Sequence, residues 1–195
     1  MKNLHITRLL ALLLVSTWLW SSCGDGKFDT VDKGVASFSN ESALSWNLLF
    51  LDIERHAIGF RPGPAPRSLG YMGFSAYEAC VPGMPDYNSL APLFGGISIP
   101  AVESGEYHWP TVVNASYGYL MPRFFAHVSA SDKQKMATLE AQLESKYQAE
   151  TSPEIFERSR RRGQEVAKAV WEWSATDVNG HEAYLDPFRG YDWQA

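Results

Sequence analysis

The chain has 195 residues, a formal net charge of −5, 45% hydrophobic and 20% charged side chains. That length suffices for one domain with a real core, and the composition is that of a soluble globular protein. The mild negative charge excludes a broad nucleic-acid-binding surface.

Lys2 and Arg8 give the amino terminus a basic start, Leu9 to Trp20 form an apolar run, and Ser21-Ser22-Cys23-Gly24 follows. A run of about 12 residues is too short to cross a bilayer and fits the apolar region of a signal peptide. Small residues ahead of a lone cysteine are similar to a bacterial lipoprotein cleavage box. The expectation is a signal peptide over 1–22, lipidation of Cys23, a tether over 23–38 and a helical domain over 39–195, with plain secretion as the alternative. Several acyl chains hold a protein stably on a membrane where one holds it marginally. With Cys23 lipidated, Cys80 has no intrachain partner, so neither a disulfide nor a cysteine-based metal site is expected. On a helix face of small residues, Cys80 reads as a buried small hydrophobe rather than a nucleophile.

The first folded helix is predicted from about Asn40 to His56, capped by Ser39 or Asn40 with Glu41 in its first turn. Leu44, Leu48, Leu51, Trp46, Leu49, Phe50 and Ile53 make it apolar over more than half its circumference, and Ser45, Asp52 and His56 mark a solvent side. Glu54 falls where burial is expected and needs a partner, Arg61 or Arg67. Pro62, Pro64 and Pro66 predict a stiff extended lead-in. From Arg67, a helix presents Leu69, Gly73, Ala76 and Cys80 on one face. Small residues there suit a buried central helix against which a neighbour packs closely, offsetting the cost of Gly70 and Gly73. Val81-Pro82-Gly83 stops it.

A short helix is predicted over Ser89 to Phe94, then a loop to Tyr107. The next helix runs from Trp109-Pro110 to about Phe125, with Pro122 kinking or ending it. Asn114-Ala115-Ser116 matches a glycosylation sequon, discounted on an apolar helix. Lys133 to Tyr147, capped by Ser131 or Asp132, reads as an outer helix with a narrow apolar stripe. Ser152-Pro153-Glu154 is a restart of cap, proline and acid, and the last helix runs to about Ser174 with Phe156, Gly163, Ala167, Val170 and Trp171 inward. Val178-Asn179-Gly180 turns the chain, and His181 to Ala195 is irregular. The fold class is all-α, a bundle of about five to six helices with an irregular C-terminal tail.

Arg158, Arg160, Arg161 and Arg162 read as a solvated helix face paired with Glu154, Glu157 and Glu165. His56, His108, His127 and His181 lack metal-ligand spacing. No serine or cysteine has a neighbouring motif for nucleophilic catalysis, and an enzyme with an unrecognised site around Glu54 and His56 is a third, weaker option.

Several pieces, in order, carry a family likeness. Pro66-Arg67, Ala76-Tyr77-Glu78-Ala79, Tyr107-His108-Trp109, Asn114-Ala115, Trp171-Glu172-Trp173-Ser174 and Thr176-Asp177 resemble the amino-terminal helical region of bacterial proteins related to vanadium-dependent haloperoxidases. That group belongs to the type 2 phosphatidic acid phosphatase superfamily, and the resemblance spans roughly Ser42 to the end. It implies an oxyanion cradle made of a lysine followed by Arg-Pro, then Pro-Ser-Gly-His, then Ser-Arg and a further histidine. Such groups supply charge, backbone amides and an in-line base to a tetrahedral anion. Arg61-Pro62, Ser159-Arg160 and Gly180-His181 each match two letters out of place, and no catalytic, cofactor or metal residue is assigned from them. The resemblance therefore implies a scaffold half, inactive alone, with vanadate or phosphate held by a C-terminal half or another subunit. Such a half should leave apolar surface uncovered on the Arg67–Cys80 helix or the last helix. The competing expectation is a self-contained, non-enzymatic helical lipoprotein that binds a partner or ligand.

Overall fold

A computed structural model of the chain describes residues 33–177 and 180–181. The expected signal peptide, Cys23, most of the expected tether, Val178-Asn179 and the tail from residue 182 lie outside the described residues. Five α-helices form an all-α bundle: α1 (Glu41–Glu54), α2 (Pro64–Cys80), α3 (Trp109–Phe124), α4 (Ala130–Gln148) and α5 (Pro153–Ser174). No described residue is in a strand, and no described helix is long and apolar enough to cross a membrane.

The centre of the bundle is α3 rather than the helix that follows the proline-rich segment. Twelve of its sixteen residues are buried, and α1, α2, α4 and α5 all pack on it. Its sequence allows this because Ala115, Ser116 and Gly118 keep it thin while Val112, Leu120, Met121 and Phe124 fill the core. Buried polar groups on it are satisfied: Asn114 Oδ1 accepts Trp46 Nε1 at 2.8 Å, and Ser116 Oγ is hydrogen-bonded to Ser75 Oγ at 2.8 Å. Asn114 is thus a packed core residue.

Against expectation, α2 begins at Pro64, inside the proline-rich segment. Proline is tolerated in a first helical turn, where its missing N–H has no partner to lose. Its buried face is Ala65, Ser68, Met72, Ser75 and Ala79, with Glu78 and Cys80 at the end. Gly73 lies on the exposed side instead, and a methyl group on either Gly70 or Gly73 meets nothing within 4 Å. The tight packing expected at these glycines is absent, so each leaves a helix cost of about 1 kcal/mol uncompensated within this chain.

The solvent side of α1 also differs. Trp46, Phe50, Ile53 and Glu54 face inward, while Leu44, Leu48 and Leu51 stand in solvent and Ser45 is half-buried. The helix lies at the edge of the bundle on α3 and α4, so only one stripe finds a neighbour. Glu54 has the expected partner: Arg61 grips it through both Nε and a terminal nitrogen. Short 3₁₀ turns replace the predicted helix over Ser89–Phe94, at Ala91–Leu93, and end α2 at Val81–Gly83. The end of the predicted tether is packed: Trp109 Nε1 donates to the Lys33 carbonyl at 2.9 Å, and the Phe38 ring meets His108 edge-on at 5.2 Å.

The caps are local chemistry. Ser152 Oγ accepts the Ile155 N–H, as its sequence predicts. The cap of α4 is Ser129, not Ser131 or Asp132, so the helix starts one turn early. Ser129 accepts the Asp132 N–H at 3.1 Å and donates to Asp132 Oδ2 at 2.7 Å, a reciprocal cap.

Candidate functional site

An aromatic groove lies where α2, α5 and the connection between α2 and α3 meet. Pro66, Arg67, Gly70, Tyr71, Phe74, Phe94 and Trp173 line a groove of about 330 Å³. Phe74, Phe94 and Trp173 form a triangle with ring centroids 5.1, 5.8 and 5.6 Å apart, and Tyr71 meets Trp173 edge-on at 5.5 Å. Trp173 Nε1 donates to the Gly95 carbonyl at 3.0 Å, fixing the wall. Arg67 closes one end: its Nε donates to Asp177 Oδ2 at 2.7 Å and a terminal nitrogen donates to the Ser174 carbonyl at 2.8 Å. The guanidinium also lies over the Tyr71 ring, 4.5 Å from its centroid. Gly70 leaves the groove floor open, so a partner's backbone can come close.

Two buried charged side chains hold the connection that carries Phe94. Glu78, 2% exposed, accepts Ser89 Oγ at 2.8 Å and the Leu90 N–H at 2.6 Å. Arg162, 5% exposed, donates to the carbonyls of Ala79 (3.4 Å), Glu78 (3.2 Å) and Pro100 (2.5 Å). Two of these are carbonyls of the last turn of α2, which have no partner in their own helix. Arg162 therefore acts as a C-cap supplied by another helix, its cation facing the negative end of the α2 dipole.

The arginine run is thus divided. Arg160 pairs with Glu157 as expected, but Arg161 pairs with Glu103 across the surface and Arg158 donates to the Glu106 carbonyl. The cradle-like pairs are also occupied elsewhere. Arg61 is on Glu54, Ser159 Oγ donates to the Ile155 carbonyl and accepts the His108 N–H, and the His181 ring meets Trp171 edge-on. The geometry does not bring these groups together around one anion.

A second concavity of about 400 Å³ is lined by His56, Ile58, His127, Ser129 and Asp132 among others. His56 Nε2 lies 3.1 Å from Asp132 Oδ2. The Ser129 hydroxyl, with Lys135 and His56, holds the Asp132 carboxyl down to about 2. The serine is bonded to the acid and not to the histidine, and a carboxylate held that low is too weak a base to activate a hydroxyl, so a nucleophilic role is not built here. Glu54 and His56 have separate partners, Arg61 and Asp132. The Cys80 thiol is pushed up to about 12 by burial, which keeps it protonated and inert. Among the described residues no group of three His, Cys, Asp or Glu side chains is placed to hold a metal.

His108 is a structural histidine with a measurable signature. Its Nδ1 is 2.8 Å from Thr111 Oγ1, its ring contacts Phe38 and Tyr147, and Glu150 Oε2 lies 3.3 Å from Nε2. Burial outweighs the carboxylate and pushes its pKa down from 6.5 to about 4. Between those values the unfolded chain binds a proton that the folded chain does not, so stability falls as pH drops through this window. His127, also lowered by burial, adds a slope of the same sign. Urea unfolding at pH 7 and pH 4.5 should differ by about 2–3 kcal/mol, and His108→Gln should remove most of that difference. An unchanged pH slope in the variant refutes the assignment.

Sequence reasoning missed Arg162, Glu78 and the Ser129–Asp132 cap. The periodicity Phe156, Ser159, Arg162, Val166, Val170 carried the signal for Arg162, since it shares the apolar face of α5. Of the residues expected on the small face of α2, only Cys80 is buried. No family model, curated protein or solved structure matches the chain.

Proposed function

We propose that this chain is the amino-terminal helical scaffold of a vanadium-dependent haloperoxidase-like or acid-phosphatase-like lipoprotein of the bacterial cell envelope. Lipidation of Cys23 anchors it to the membrane. Vanadate or phosphate binds in a C-terminal half, and these helices support that half and shape the approach to it. The reading starts from the ordered likeness of residues 66–177 to that family.

The observation that carries it is the uncovered face of α2. Gly70 borders the aromatic groove, and neither it nor Gly73 one turn on has a neighbour within 4 Å of an added methyl group. A polypeptide lying in the groove offsets their cost by close backbone approach. The expectation of apolar surface on α2 or α5 needs one correction. Among the described residues, the large apolar side chains that stand in solvent are on α1, at Ile58 between α1 and α2, and on the α2–α3 connection, including Leu93 at 77% and Phe94 at 41% exposure, while α2 and α5 contribute half-buried groove walls. The reason is that Phe74, Phe94 and Trp173 shield one another.

A closed core supports a second reading, a self-contained, non-enzymatic lipoprotein that binds a partner. Trp46, Phe50, Phe60, Phe125 and Met121 are all at most 1% exposed without any other chain. The two separate experimentally. The reading frame beyond the Ala195 codon is sequenced and its product co-expressed with this chain. Expected are the Lys, Arg-Pro and Pro-Ser-Gly-His groups in order, and vanadate-dependent halide oxidation or phosphomonoester hydrolysis only with both pieces. Gly70→Leu should weaken their association at least about tenfold, because it fills the groove floor. Turnover by this chain alone, or no cradle groups in the adjoining frame, overturns the scaffold reading.

A further inference from the structure

Five residues of α1 share one outward line: Glu41, Leu44, Leu48, Leu51 and Arg55. Spacings of three and four keep them on one helix face. The leucines are 51%, 59% and 45% exposed. Arg55 follows the last helical residue but keeps helical dihedrals, φ −58° and ψ −31°, so the line continues through it. Glu41 precedes Leu48 by seven residues and Arg55 follows it by seven, about two turns either way.

This arrangement is complementary to itself. A two-fold axis through Leu48 lays a second α1 antiparallel on the first. Leucines then meet leucines, and Glu41 faces the partner subunit's Arg55 on both sides of the axis. A parallel pairing sets Glu41 against Glu41 and Arg55 against Arg55, so charge selects the antiparallel one. On the rim, Lys135 binds Asp52 at 3.1 Å, and Lys146 binds Glu41, which shares its carboxylate with the partner subunit's Arg55 in the dimer. With those two pairs balanced, Arg55 leaves the face a single net positive charge, too little to call for a strongly acidic partner. We propose that α1 is a self-association face on which a second copy of this chain packs antiparallel about Leu48.

A helix of 14 residues offers a contact about 21 Å long. That is at the low end of stable interfaces, below about 1,200 Å² in total, so dissociation in the micromolar range is expected. The proposal does not depend on the scaffold reading, since α1 packs on α3 and α4 and does not line the α2–α5 groove.

Sedimentation of the purified full chain from about 1 to 200 μM should show a monomer–dimer equilibrium. Leu48→Glu should raise the dissociation constant at least about tenfold. Arg55→Glu should raise it about fivefold, and adding Glu41→Arg should restore it. With Cys23→Ser, Leu48→Cys should give a disulfide-linked dimer on mild oxidation. Leu44→Cys should not, because its copies lie about 12 Å apart across the axis, beyond disulfide reach. Far-UV circular dichroism confirms that each variant is folded. A chain that stays monomeric over this range, a dimer indifferent to Leu48→Glu, or equal cross-linking at both positions overturns the proposal.

Discussion

Gly163→Ala is expected to destabilise the folded chain by about 2–4 kcal/mol, although alanine is the better helix former. Gly163 lies where α5 crosses α3. A methyl group there collides with the Val112 carbonyl oxygen and comes within 2.9 Å of Ala115 Cβ and 3.1 Å of the Ser116 nitrogen. These atoms are backbone or the first carbon of a side chain, so no rotamer change relieves the clash. The helices must separate at their crossing, and Val112, Val166 and Ala167, all fully buried, lose packing together. The gain in helix propensity, about 1 kcal/mol, offsets only part of this. Gly163→Val should leave little folded protein at 25 °C. Gly70→Ala is the matched control: it gains the same propensity without a collision and should stabilise by about 0.5–1 kcal/mol. Equal urea midpoints for the two alanine variants would refute the reading of that crossing.

Arg162→Met should cost about 3–5 kcal/mol, the scale for removing one partner from a buried charged network. Methionine keeps much of the bulk, so the loss reports on polar groups. The carbonyls of Glu78, Ala79 and Pro100 lose a donor in a place that water reaches poorly. The same change releases one end of the connection between α2 and α3, whose other end Glu78 holds through Ser89 and Leu90. Hydrogen exchange should therefore quicken at Leu90 and Phe94 more than in α4. Arg162→Lys should recover only part of the stability, since one ammonium cannot reach three carbonyls in the fork geometry. A cost below about 1 kcal/mol for Arg162→Met would mean that water replaces the guanidinium and the cap is dispensable.

Those two residues adjoin in the sequence, yet only Gly163 was legible. It interrupts a helix whose start and end are plainly marked, and a glycine there asks for a close neighbour. Arg162 lies in a run of like charge, and charge density reads as solvent exposure. The periodicity of α5 contradicts that reading at this one position. The caps and span of α5 were legible because they are chemistry between near neighbours. So was the need of Glu54 for an arginine from the next stretch, Arg61 or Arg67, of which Arg61 takes it. The prolines of α2 misled because proline opposes a helix interior but not a first turn. The glycines of α2 and the leucines of α1 misled for a common reason. Periodicity shows which side chains share a face, and it does not show whether this chain covers that face. The groove was legible only in part, since its wall Phe94 arrives from a connection without periodicity, held by two tertiary clamps.

The thiol sealed at the end of α2 makes the molecule its own stopwatch. Cys80 lies under Arg162 and beside the α2–α3 seam, and in the closed state an alkylating reagent meets neither an accessible sulfur nor a thiolate. With Cys23 replaced by serine, every labelling event counts an opening of that seam, whether a local breath or whole unfolding.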